Sequence, residues 1–242
     1  MLEGKDVSYS RGFLPLFSGI SFTLSKGDIL AVKGANGSGK STFLRLLTGL
    51  IHPPSNVLFW EKQPITRKNI SSYQQNLLYI GHKLCLHPEA LVKDQMSLWA
   101  NFYGISKGEI KAALEIWGVA TFKDKKISHL SQGQQKRLSL SRCSWLKRSL
   151  WILDEPQAGL DQEGQEILSC SLSRQLKKGG CIILATHESI SMNPLTENFS
   201  GLLRLARNDK ISRHCEAPTQ ASPRREEPWQ SNSLTHAMEI LL

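Results

Sequence analysis

Apolar and polar positions alternate over residues 5 to 33. Val7 and Tyr9, then Ile20, Phe22 and Leu24, then Ile29, Leu30 and Val32 are separated by turn residues at Gly12, Pro15 and Lys26-Gly27-Asp28, which predicts three short strands. From Ser41 the period changes. Phe43, Leu44, Leu46, Leu47 and Leu50 have the spacing of an amphipathic helix, stopped by Pro53-Pro54. Short strands are predicted at Val57 to Trp60 and Leu77 to Ile80. Residues 83 to 147 then lean helical, with breaks near Gly104, Gly108 and Gly118, and read as a separate helical lobe.

Leu150 to Leu153 and Cys181 to Ala185 are apolar without alternation, as expected of parallel strands covered on both faces. Between them, Ile167, Leu168, Leu172 and Leu176 mark a helix over Gln162 to Lys178, closed by Gly179-Gly180. Strand, crossover helix and strand together indicate an α/β fold. Residues 206 to 236 hold few aliphatics and many Arg, Glu, Ser, Pro and Thr, too little apolar surface to offset the entropy of ordering. The reading is therefore one cassette over residues 1 to 200 and a mostly disordered tail over 201 to 242, with Ala237 to Leu242 as a short helix.

Composition narrows the class. Of 242 residues, 40% are hydrophobic, which excludes a wholly disordered or collagen-like chain. The apolar runs fall far short of the ~18 residues that span a bilayer, and Met1 to Asp6 lacks the apolar core of a secretory signal; a cytoplasmic chain is expected. Five cysteines, never closer than eleven residues, suggest neither a disulfide framework nor a zinc knuckle. The net charge is +9, of which the tail carries only +1. That excess suits phosphates, nucleic acid or an anionic membrane without choosing among them.

Gly34-Ala35-Asn36-Gly37-Ser38-Gly39-Lys40-Ser41 fits the phosphate-loop template and lies between an apolar strand and a helix, the context the motif requires. Its glycines let backbone amides wrap a polyphosphate, the helix N-terminus adds a favourable dipole, and Lys40 can bridge the terminal phosphates. Ser41 is placed to ligate Mg²⁺ and Thr42 to reach the α-phosphate of a nucleotide such as ATP.

The apolar strand Leu150 to Leu153 ends in Asp154-Glu155, a costly place for charge unless a cation or a reaction uses it. Asp154 can hold the Mg²⁺ shell, while Glu155 can orient and deprotonate the water that attacks a γ-phosphate.

Leu130-Ser131-Gln132-Gly133-Gln134 precedes a predicted helix from about Gln135 to Trp145. It resembles the signature of ATP-binding-cassette ATPases, with Gln132 in place of the first glycine. The signature serine lies 23 residues before Asp154, Ala158-Gly159-Leu160-Asp161 is similar to the family's D-loop, and His187, 32 residues after Glu155, matches its switch histidine. The resemblance implies a phosphate-loop nucleotide-binding domain with a parallel core sheet, an antiparallel β subdomain and a helical lobe. It implies ATP and Mg²⁺ as ligands, and a head-to-tail homodimer in which Ser131, Gly133 and Gln134 of one subunit meet the γ-phosphate bound by the other. Tyr9 stands near the family's adenine-stacking aromatic; a place in the core is the other reading. Asp161 reads both as a D-loop residue and as a helix N-cap.

Where the family carries a glutamine touching metal and water, this chain has His82, within Tyr79-Ile80-Gly81-His82-Lys83. Contact with Mg²⁺ through an imidazole nitrogen and a structural role are both open. The same segment, with Arg11-Gly12 and Leu16 to Phe22, resembles ATP-binding subunits of cytochrome c maturation haem exporters. That implies a peripheral protein on the cytoplasmic side of the bacterial inner membrane, driving a membrane-embedded subunit. Leu84 to Tyr103, with Pro88, Trp99 and Phe102, is either the partner's groove or internal core. The alternatives are an exporter of another substrate, a soluble cassette ATPase acting on ribosomes or DNA, and a small-molecule kinase. No nucleic-acid partner is expected, since single-chain length leaves no room for a second cassette or an inserted coiled coil.

Overall fold

The computed structural model describes residues 1–186 and 237–242. In chain order the elements are β1 (Leu2–Arg11), β2 (Leu14–Leu24), β3 (Ile29–Lys33), α1 (Lys40–Leu47), β4 (Leu58–Trp60), β5 (Gln63–Pro64), α2 (Ile70–Gln74) and β6 (Leu77–Ile80). Then follow α3 (Val92–Tyr103), α4 (Lys107–Ile116), α5 (Gln132–Leu140), α6 (Arg142–Trp145), β7 (Leu150–Asp154), α7 (Gln162–Lys177), β8 (Cys181–Thr186) and β9 (Ala237–Leu241). Two short 3₁₀ turns lie between α4 and α5.

The alternating N-terminal pattern forms an antiparallel sheet in the order β2-β1-β4-β5. The apolar runs form a parallel sheet in the order β6-β7-β8-β3-β9. Successive residues of these strands enter opposite cores, because side chains alternate across a strand. Leu30, Val32, Leu150, Ile152, Ile183 and Ala185 pack with Phe43, Leu44, Leu46 and Leu47 of α1 and with the antiparallel sheet. Ile29, Ala31, Trp151, Leu153, Ile182 and Leu184 pack with the helices of the 83–147 region and α7. Burial on both faces explains why these strands read as continuous apolar runs. Each such side chain contributes roughly 1.5–3 kcal/mol by leaving water.

The predicted helix from Gln135 to Trp145 is two helices. α5 starts three residues earlier, and the chain breaks at Ser141, whose hydroxyl donates to the Leu138 carbonyl while Arg142 Nε donates to the Ser139 carbonyl. These local bonds compete with the helical ladder. The aromatics of α3 divide: Trp99 is buried, 6.1 Å from the Trp145 ring with the Arg142 guanidinium over it, whereas Phe102 is exposed.

Ala237–Leu241 is a strand, not the short helix expected from its sequence. It pairs in parallel with β3, from Ile29 opposite Ala237 to Lys33 opposite Leu241. Met238, Ile240 and Leu242 pack against the α1-side core, and Lys33 Nζ meets Glu239 at 2.6 Å. The unpaired edge of β3 and the period-two apolar positions outweigh local helix preference, since long-range pairing decides short segments. The expected disorder of 206–236 falls outside the described residues.

Candidate functional site

The functional residues gather at the C-terminal ends of the parallel strands. Asp154 pairs with Ala185, and Ala185 pairs with Val32. The acidic pair is thus level with the end of β3, two strand spacings or about 10 Å across the sheet. Beyond β3 the chain turns into the glycine loop and then α1.

The loop is built on positive φ at Gly34 (151°), Gly37 (83°) and Gly39 (104°), conformations that side chains rarely adopt. A Cβ at Gly34 would also stand 2.5 Å from Ser38 Oγ. Lys40, at the start of α1, is buried and donates from Nζ to the carbonyls of Gly34 (2.8 Å) and Ala35 (2.9 Å). Its ammonium is therefore held inside the loop. Ala35, Asn36 and Gly37 are exposed, and Ser41 and Thr42 are half-buried on the first turn of α1. Ser38 Oγ is buried without a hydrogen-bond partner among the described residues. Amides, a fixed cation and spare hydroxyls at a helix N-terminus can receive a polyphosphate.

Asp154 is 1% exposed, and neither carboxylate oxygen has a hydrogen-bond partner among the described residues. An unpaired buried carboxylate is costly, and a divalent cation shared with the Ser41 hydroxyl and a phosphate satisfies it. The donor set therefore fits Mg²⁺. Burial, and then the Asp154 charge, push the Tyr79 phenol above its ordinary pKa.

Glu155 holds a left-handed backbone, φ 49°. Its N–H donates to the Ala185 carbonyl, and its own carbonyl accepts from Ala158 N and Lys136 Nζ. Burial lowers the Lys136 pKa, opposed by the charges of Asp154 and Glu155.

Ser131 caps α5 through a reciprocal box: its hydroxyl accepts from Gln134 N (3.2 Å), and Gln134 Oε1 accepts from Ser131 N (3.0 Å). The cap leaves Ser131 and Gln132 exposed, with Gly133 and Gln134 half-buried behind them. Asp161 caps α7, accepting from Gly164 N, and pairs with Arg137 Nη2 at 2.5 Å; Arg137 also binds Glu163 and the Trp117 carbonyl. Burial opposes the Arg137 cation, but the two carboxylates outweigh it and its pKa is raised. The N-cap reading of Asp161 is thus the one the geometry displays.

Tyr9 is half-buried and stacks on Phe17, ring centroids 6.0 Å apart. Phe17 in turn lies against Gly39 and Phe43. His82 is exposed just beyond β6, at the same end of the sheet as Asp154, since Ile80 pairs with Leu153. His187 lies outside the described residues. Lys136 and Arg137 are the residues that sequence reasoning passed over; their signal was a pair of cations one turn into the signature helix.

Comparison with known proteins supplies context for this arrangement. A family model described as ABC transporter matches residues 17–158. The chain is 38% identical over 197 residues, 79% of its length, to the cytochrome c biogenesis ATP-binding export protein CcmA of Escherichia coli K12, covering 91% of that protein. Among solved structures, a Pyrococcus furiosus protein described as an ABC transporter ATP-binding protein superposes with a TM-score of 0.66 at 26% identity, covering 79% of this chain and 93% of that one. CbiO1 of Clostridium perfringens shares the fold, with a TM-score of 0.65 at 24% identity, over 88% of this chain and 97% of that one.

Proposed function

The chain belongs to the ABC transporter family, and we propose that it is the ATP-hydrolysing subunit of a haem-export complex acting in cytochrome c biogenesis. The observation that carries the motor reading is the pairing of a glycine loop holding Lys40 with the buried carboxylate of Asp154, which has no hydrogen-bond partner among the described residues, at the same end of the sheet. The similarity to CcmA over 91% of that protein supports the biogenesis role.

In this reading the loop amides of residues 34–40 and the Lys40 ammonium bind the phosphates of ATP, Thr42 reaches the α-phosphate, and Tyr9 lies beside the adenine. Ser41 and Asp154, with His82 as a further candidate ligand, would hold Mg²⁺. Bound there, the metal neutralises charge on the β- and γ-phosphates. Glu155 orients the attacking water and accepts its proton, and His187 acts as the switch residue. Ser131, Gly133 and Gln134 of a second copy present the N-terminus of α5 to the γ-phosphate, completing the anion site. Closure of this homodimer on ATP, and its release on hydrolysis, drives a membrane-embedded subunit from the cytoplasmic face of the inner membrane. No helix among the described residues is long and apolar enough to cross a membrane.

Gel filtration of Glu155→Gln with ATP tests the motor: a nucleotide-dependent dimer is expected, and a monomer at saturating ATP overturns it. Isolation from solubilised membranes tests the cargo. Copurification of a haem-handling membrane complex is expected, and copurification of ribosomes overturns the assignment.

A further inference from the structure

Among the described residues, three hydrogen bonds hold the backbone of Glu155, and they differ in origin. Its N–H donates to Ala185 on the neighbouring strand, and its carbonyl accepts from Ala158 N within its own turn. The third comes from a separate element: Lys136 Nζ, on α5, donates to the same carbonyl at 2.9 Å. Lys136 is 8% exposed, so burying its stem commits the ammonium to this region. The anchored residue is non-glycine at φ 49°, a strained conformation that persists only where its surroundings impose it.

We infer that Lys136 is a positioning residue: by gripping the Glu155 carbonyl from the signature helix, it sets the direction of the Glu155 carboxylate within its own subunit. This inference rests on the ATPase reading above, in which Glu155 acts on water. The helix that begins with Ser131 and Gly133 is thereby attached to the hydrolytic residue of the same chain. Arg137, the next residue, fixes it separately to Asp161 and Glu163, so α5 grips both ends of the segment from Glu155 to Glu163. A shift of α5 on meeting the γ-phosphate bound by the other subunit is carried to Glu155 through the Lys136 bond.

The test compares Lys136→Met, which keeps the stem and removes the donor, with Lys136→Arg, which keeps a donor. ATP turnover, the KM for ATP, thermal melting and ATP-dependent dimerisation in a Glu155→Gln background are followed for each. Loss of one positioning bond predicts a kcat about tenfold lower in Lys136→Met. KM is expected to stay within about twofold and the dimer to be retained, while Lys136→Arg returns kcat to within about threefold of the original. Unchanged turnover in Lys136→Met overturns the inference. So does parallel loss of turnover, KM and dimerisation, which would make Lys136 a general structural residue. If Lys136→Met does not fold, Lys136→Leu is read by the same criteria, and if neither folds while Lys136→Arg does, the role is structural and the inference fails. A parent protein that hydrolyses no ATP defeats the ATPase reading instead, a separate outcome.

Discussion

A Cβ on Gly133 would stand 2.9 Å from the carbonyl oxygen of Gly159. The signature helix and the D-loop therefore touch backbone to backbone, and the contact exists because Gly133 has no side chain there; a Cβ on Gly159 would meet nothing within 4 Å. Gly133→Ala must push the D-loop away. Overpacking of this kind costs about 1–3 kcal/mol, which lowers the melting temperature by several degrees in a domain of this size. ATP turnover should fall with it. A variant with unchanged melting and turnover would show that the two segments separate freely.

Lys40→Ala removes the ammonium that the loop holds. Nucleotide binding should weaken by about 10–100-fold, the worth of a charge-assisted bond to phosphate. Since Lys40 also bonds the carbonyls of Gly34 and Ala35, melting without nucleotide should fall slightly. Titration with a fluorescent ADP analogue separates the two effects.

Asp154→Asn should act in opposite directions on stability and activity. The carboxylate is buried, and neither oxygen has a hydrogen-bond partner among the described residues, so removing its charge should stabilise the nucleotide-free protein by about 1 kcal/mol or more. Magnesium-dependent ATP turnover should be lost. Calorimetry without nucleotide, beside an ATPase assay, gives both readings, and a lowered melting temperature would contradict the account of Asp154 as a buried carboxylate without hydrogen-bond partners among the described residues.

The Arg137–Asp161 pair carries a pH prediction. The side-chain bond to Arg137, then the Gly164 amide, hold the Asp161 carboxyl below its ordinary pKa of 3.8. A depressed carboxylate pKa contributes stability that is complete above the unfolded value and lost as pH falls through the folded one. The stability difference between the parent and Asp161→Asn should therefore be constant above about pH 5 and vanish only below the ordinary Asp value. Because Asp161 is largely exposed, the difference should be small and should shrink with added salt.

Burial pushes the Cys143 thiol up to about 12, leaving almost no thiolate at pH 8. Cys85 is exposed. Alkylation of the native protein should label Cys85 and spare Cys143, as mass spectrometry of the peptides would show. Modification of Cys143 at a comparable rate would mean that the α5–α6 region opens readily.

Much of this architecture was legible because single elements carried local signals. The phosphate loop, the strand ending in Asp154 and the helix from Gln162 all announced themselves through glycine spacing or apolar period. The capping of α5 by Ser131 and Gln134 was implicit in a serine followed three residues later by a glutamine. What escaped was set by contacts distant in sequence. Nothing local says that Lys136 reaches Glu155, that Ser141 breaks a helix, or that Ala237–Leu241 is extended; each depends on a partner that only the fold brings near. Phe102 and Trp99 show the same limit on one helix, sharing a texture while one faces solvent and the other the core.

The pairing of β3 with β9 joins segments about 200 residues apart. Contacts of such separation form late, and synthesis from the N-terminus delays this one further, because β3 leaves the ribosome long before β9 exists. For that interval the strand leading into the phosphate loop has an open edge, able to accept any extended chain. The nascent protein is therefore open to mispairing along the strand that carries its glycine loop until β9 arrives.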